Sequence, residues 1–230
     1  MAACAVIVAF TILCGHSQTP SPADTFRGGK VEWARLKTDS RYWDRHAPRD
    51  SELLNFIRDN TSLNIDRAWY AATARNLDEL CTYPFLFTDG VHSLGSETEV
   101  KNLVEYIHRG GFLMIDSCIA PPVNPTPDGF YSAESRALLR MIPGLRITPL
   151  PANHEVFSIY FKIKDQPPHT NMDRPDWIAY PMFGLYDGPR MIGVLSMSGL
   201  QCGWAHITTN ENARTCMEMM TNIYLYAITR

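Results

Sequence analysis

The sequence predicts a single three-layer α/β domain around a mainly parallel sheet, on three observations. Two short apolar runs, YPFLFTDG (83–90) and GFLMIDS (111–117), each end at a carboxylate, the pattern of parallel strands buried on both faces. Between them a capped amphipathic segment supplies the crossover, so 83–117 reads as one β-α-β unit, right-handed by the general rule. The chain has 230 residues, 45% hydrophobic and 20% charged, with no internal repeat or linker, which is enough apolar surface for one core.

The elements follow in order. Residues 2–14, AACAVIVAFTILC, are an uncharged apolar run, too short for the ~20 residues of a spanning helix and suited to the core of a secretory signal. Gly15 and Ser17 place a cut before Gln18, so 1–17 is expected to be a signal peptide, 18–29 a loose segment and 30–230 the α/β domain. No Lys or Arg precedes Arg27, so the terminal amine alone supplies the positive end of such a signal. Leu13 and Thr11 suit a lipoprotein signal at Cys14 poorly, which makes a lipid anchor the lesser expectation.

KVEWARLK (30–37) alternates as a strand, with Val31, Trp33 and, by phase, Arg35 on one side and Glu32, Ala34 and Leu36 on the other. TDSRYWDRHAPR (38–49) is loop-like, and Pro48 with Asp50 or Ser51 starts a helix striped by Leu53, Leu54 and Ile57. LNIDRAWY (63–70) is a second strand and NLDEL (76–80) a helical turn. Ser96 and Glu99 form a capping box, Val100, Leu103, Val104 and Ile107 fall on one helical face, and Gly110 stops the helix. IAPPVNPTPDGF (119–130) is expected to be an extended loop, followed by a helix over 132–141. RITPLP and HEVFSIYFKI read as strand-like pieces, 164–181 as a second long loop, and MFGLYDGPRMIGVLSMS as a hairpin turning at Asp187-Gly188. The closing segment, 211–228, is a helix with Met217, Met220, Ile223 and Tyr224 inward.

Twenty-one basic against 24 acidic residues leave a net charge of -3, so no global field attracts nucleic acid or anionic lipid. Beyond residue 17 four cysteines remain, Cys81, Cys118, Cys202 and Cys216, without a C-x-x-C pair. That spacing supports neither a zinc knuckle nor a redox motif, and leaves disulfides and buried thiols both open.

Taken in order, RYWD with SELLNFIRDNTSLNI, YPFLFTDG, SETEVKNLVEYIHRGGFLMIDS, Asn153-His154 to Phe157, SMSGLQCGWAH and TNIYLYAIT carry a resemblance from about Val31 to the end. The chain resembles the exported bacterial family called domain of unknown function 4159, itself similar in fold to class I glutamine amidotransferases. The resemblance implies a flavodoxin-like three-layer domain, placed in the periplasm or outside the cell. It implies no agreed activity, since a fold does not carry one. Glu155 stands where the family usually has proline after its histidine, and Gly199 where an aspartate often precedes the Gly-Trp pair.

Ligands of open parallel sheets collect beyond the carboxyl ends of the strands. Asp39, Asp89 and Asp116 end three predicted strands there, with His92 and Cys118 nearby in sequence. They are expected either to line a crevice or to cap turns and helices. Cys118 with His154 or His206 as base is the candidate for a thiol nucleophile. The window Asp-Ser-Cys-Ile-Ala lacks the small neighbours of a nucleophile elbow, and His154-Glu155 is not the His-x-Glu of an amidotransferase triad. Asp39, Asp89, Asp116 and His154 lack the spacing of a metal motif, so neither metal nor cofactor is expected. Tyr42-Trp43, Trp177 and Trp204, with His206, Arg41 and Asp44, either stack on a sugar or peptide or wedge loops onto the sheet.

The sequence therefore predicts a non-catalytic ligand-binding or envelope assembly module. Its site residues are Asp89, Asp116, Tyr42, Trp43, Trp204 and His206, and its partners a saccharide, a peptide or envelope proteins. Nucleic acid and a transmembrane helix in the mature chain are not expected. The alternative is a hydrolase using Cys118 or an Asp39/Asp89/Asp116 crevice.

Overall fold

Alternation in β1 (Val31–Lys37) sets the two faces of the sheet: Trp33 and Arg35 turn one way, Ala34 and Leu36 the other, and all four are buried. The computed structural model describes residues 28–116, 123–124, 126–164, 168, 180–205 and 212–230. The expected signal peptide and the 18–27 segment lie outside them. Beside β1 stand β2 (Ile65–Thr73), β3 (Phe85–Thr88), β4 (Phe112–Asp116), β5 (Arg146–Pro149), β6 (Phe183–Asp187) and β7 (Arg190–Ser196). They form one seven-stranded sheet in the order β2-β1-β3-β4-β7-β6-β5. The five strands from β2 to β7 are parallel, and β6 and β5 continue the sheet antiparallel. The first five positions follow the flavodoxin-like arrangement, with β7 in the fifth place.

Helices α1 (Asp50–Asn60), α2 (Leu77–Leu80), α3 (Glu97–His108), α4 (Pro127–Met141), α5 (Gln201–Ala205) and α6 (Asn212–Thr229) complete the layers. One face packs Trp33, Phe85, Phe87, Phe112 and Met114 against α1, α5 and α6. The other packs Leu36, Leu86, Leu113 and Ile115 against α2, α3 and α4. The chain moves outward from β1 to β2 through α1 on one face, then crosses back to β3 and onward to β4 through α3 on the other. This reversal puts the topological switch between β1 and β3.

Local chemistry fixes the ends of these elements. Ser96 Oγ accepts from the Glu99 amide at 3.3 Å, and the Glu99 carboxylate accepts from the Gly95 amide at 3.0 Å, so the capping box closes one residue earlier than its usual form. Gly193 is required where β7 passes β4, because a Cβ there would stand 2.5 Å from the Leu113 carbonyl oxygen. In the β6–β7 hairpin Asp187 pairs with Arg190, and Gly188 takes φ +56° in the turn.

Three expectations change. The helix expected over 132–141 begins at Pro127, where Thr126 Oγ1 accepts from the Gly129 amide at 3.1 Å and proline fills the first turn. The prolines of 119–130 thus end in a helix start. HEVFSIYFKI is not a strand: Glu155–Phe157 is a 3-10 turn capped by His154, and Asn222 of α6 brackets the Phe161 backbone at 2.8 and 2.7 Å. That side chain supplies the pairing a neighbouring strand would have given. The segment around Trp204, read as lying in or beside a loop, is helix α5. No described helix is long and apolar enough to cross a membrane.

Candidate binding site at the carboxyl edge

The floor of the site is a buried ion pair. Arg35 takes an inward position on β1, and its guanidinium would be untenable there without an acid. Asp50, first residue of α1, answers it with two bonds of 2.6 Å, Nε to Oδ2 and Nη2 to Oδ1. The Asp50 carboxylate also accepts from Trp33 Nε1 at 2.9 Å and Trp204 Nε1 at 3.0 Å, and both residues of the pair are almost inaccessible. Arg35 stacks over Phe87 with 4.7 Å to the ring centroid. The Arg45 carbonyl accepts from both Arg35 and Gln201, tying the loop after β1 to α5.

Above this floor the ends of β3 and β4 carry the acids. The register that sets Thr88 opposite Ile115 brings Asp89 and Asp116 to the ends of neighbouring strands. Asp116 is fully buried and accepts from the Gln201 amide at 2.9 Å. Asp89 is 8% exposed; its Oδ2 lies 3.4 Å from Ser40 Oγ, and its Oδ1 has no hydrogen-bond partner. Burial, helped by the nearby Glu134 carboxylate, pushes the Asp89 carboxyl up to about 6.

Glu134 reaches this edge from α4. Its Oε2 accepts from the Val91 amide at 2.7 Å and its Oε1 pairs with His92 Nδ1, which raises the imidazole's affinity for a proton. Gly90 makes room: it holds φ +153°, and a Cβ there would stand 2.4 Å from Glu134 Oε1. Ser198 Oγ, beyond β7, is likewise buried with no partner.

The predicted site residues divide. Asp89 and Asp116 end neighbouring strands, and the loop bearing Tyr42 and Trp43 touches Asp89 through Ser40, whose Oγ accepts from the Tyr42 amide at 3.1 Å. Both aromatics are half-buried and already faced by cations, Tyr42 by Arg41 and Arg45 and Trp43 by Lys37. Trp204 is a correction: its ring is wholly buried against Trp33 and Phe87, so it offers no face to a ligand. Asp39 is half-exposed and turned away to Arg75, beside a cavity of about 400 Å³ that Glu79 and Glu99 also line.

His154 lies at the opposite edge of the sheet. Its Nε2 is 3.4 Å from the Tyr186 hydroxyl, and Tyr186 pairs with Met191, five residues along β7 from Ser196. Five residues at strand rise set Met191 roughly 16 Å from Ser196, which pairs with Asp116 at the end of β4. Cys118 and His206 lie outside the described residues. Cys81 is exposed and Cys216 buried, each with a free thiol. Among the described residues no three of His, Cys, Asp and Glu converge to hold a metal.

Sequence reasoning missed the Arg35–Asp50 partnership and the Glu134–His92 pair. The first had a signal, a basic residue at an inward strand position. The second had none, since Glu134 joins His92 only through the packing of α4.

A search of curated proteins returns no match. A family model described as domain of unknown function, DUF4159, matches residues 32–228, from the second residue of β1 to the last turn of α6. With nearly the whole described domain covered, the chain belongs to the DUF4159 family.

Proposed function

We propose that this chain is an exported, non-catalytic binding module of the cell envelope, built on a scaffold similar to class I glutamine amidotransferases. It takes a polar ligand of saccharide or peptide type at the carboxyl edge of β1, β3 and β4. The observation that carries this reading is Asp89: a buried carboxylate with an unpartnered oxygen, at the switch point where open parallel sheets bind ligands. Asp116 adds a polar group at the end of the next strand, and Tyr42 with Trp43 forms the adjoining loop. The apolar run at 2–14 supports export.

Thermal-shift screening of the full chain against saccharides and peptides tests the reading. A rise in melting temperature that Asp89→Asn removes is the expected result. A panel with no rise, or a rise indifferent to that substitution, overturns it. Export is checked separately by fusing residues 1–27 to alkaline phosphatase in a bacterial host. Active enzyme outside the cytoplasm is expected, and a fusion retained inside sinks the export reading.

A further inference from the structure

We propose that the carboxyl edge of β3 binds a primary ammonium group, with the Asp89 carboxylate as its acceptor. This rests on the reading that the edge is a ligand site, and it names the chemistry of that ligand.

Three other buried acids of the domain are paired. Asp50 is answered by Arg35 at 2.6 Å, Glu99 by Arg75 at 2.9 Å, and Glu134 by His92 together with the Val91 amide. Asp89 is buried too, at 8% exposure, yet among the described residues no Lys, Arg or His comes within ion-pair distance of it. One of its oxygens has no partner and the other only the distant Ser40 hydroxyl. Burying a carboxylate without a counter-charge is costly, and a fold that pairs Asp50, Glu99 and Glu134 has left this one open at the strand end.

The surrounding charges favour a cation. Arg35 is consumed by Asp50 in a two-pronged pair, and a protonated His92 is matched by Glu134, which leaves the charge of Asp89 in excess. A hydroxyl donor would fill the empty hydrogen bond and leave the buried charge in place. An ammonium group answers both. A divalent metal needs several ligands at once, and the described residues supply no such set. Amino sugars and the free amino ends of amino acids or peptides share this chemistry.

The test uses the full chain near neutral pH, with melting temperature as the readout. The probes are glucosamine, N-acetylglucosamine and glucose in one arm, and alanine amide and N-acetylalanine amide in the other. At least one free amine is expected to raise the melting temperature by about 5 °C at saturating concentration. Its acetylated partner is expected to do nothing. Asp89→Asn, with Asp89→Ser as a second variant, is expected to abolish the rise, as is working at about pH 4.5, where the carboxyl is protonated. The arm that responds identifies the source of the amine. A response to glucose or an acetylated probe that still depends on Asp89 overturns the ammonium assignment and leaves the edge as a binding site. A response that survives both Asp89 variants overturns both readings, and silence from both amines overturns the assignment.

Discussion

Asp50→Ala is expected to lower the unfolding free energy by about 4 kcal/mol or more, the largest effect of any single substitution in this domain. The carboxylate accepts four bonds, two from Arg35 and one each from the Trp33 and Trp204 indoles. Removing it strands a guanidinium in a site that water does not reach, and breaking a buried pair from one side costs about 3–5 kcal/mol. Two indole N–H groups are orphaned as well, at roughly 1–3 kcal/mol each, although such terms do not add fully within one network. Against a typical total of about 5–15 kcal/mol, the variant sits near the threshold of folding. Urea unfolding with linear extrapolation measures it, and a loss below about 1 kcal/mol contradicts the assignment. The double variant Arg35→Met with Asp50→Leu should recover much of the loss, because it removes both charges together. Recovery would show that the single variant suffers from the abandoned cation rather than from a missing attraction.

Asp89→Asn is expected to do the reverse and stabilise the protein at neutral pH by about 1–3 kcal/mol. The direction follows from burial. The folded carboxyl titrates at about 6, above its ordinary 3.8, so the folded state resists ionisation. A group shifted upward contributes stability that is complete below the unfolded value and lost as pH rises through the folded one. The loss therefore develops between about pH 4 and pH 6 and persists at pH 7, with two pH units corresponding to roughly 3 kcal/mol. His92, raised by its bond to Glu134, acts in the same sense, its contribution fading as pH climbs past its own folded value. Asparagine keeps the shape of Asp89 without the charge, so its advantage should shrink toward zero near pH 4. Unfolding curves of both proteins across that range check the claim. A variant less stable than the parent at pH 7 would mean that Asp89 holds the fold together. A more stable one marks a residue retained at the expense of stability, as ligand sites often are.

Much of the architecture was legible because it rests on local pattern. The apolar runs at β3 and β4, the Ser96–Glu99 cap and the Asp187-Gly188 turn each declare themselves within a few residues. The start of α4 was hidden by its prolines, which resemble a loop until Thr126 is seen to cap them. The 155–157 turn was misread because its apolar residues pack onto α6, a partner sixty residues away in sequence that no periodicity announces. At the site the same division holds. Asp89 and Asp116 were visible as strand-ending carboxylates. Trp204 looked available because it reads as lying in or beside a loop, whereas its indole reaches Asp50 across 154 positions. Glu134 escaped notice because an acid in a helix is ordinarily solvated, and only the tertiary fold buries it.

The position of β7 has a consequence for how the chain is made. It is the last of the described strands to be synthesised, yet it lies inside the sheet, with β4 on one side and β6 on the other. Until Ser196 has emerged, β4 exposes an apolar parallel edge whose proper neighbour does not yet exist. Such an edge recruits any strand within reach, so a nascent chain stalled before that point is a template for aggregation rather than a partial domain. The pairings that complete the sheet span scores of residues, which makes ring-closing entropy, and not helix formation, the slow part of folding. A chaperone that shields β4 during that interval would serve this protein more than one that acts on its finished surface.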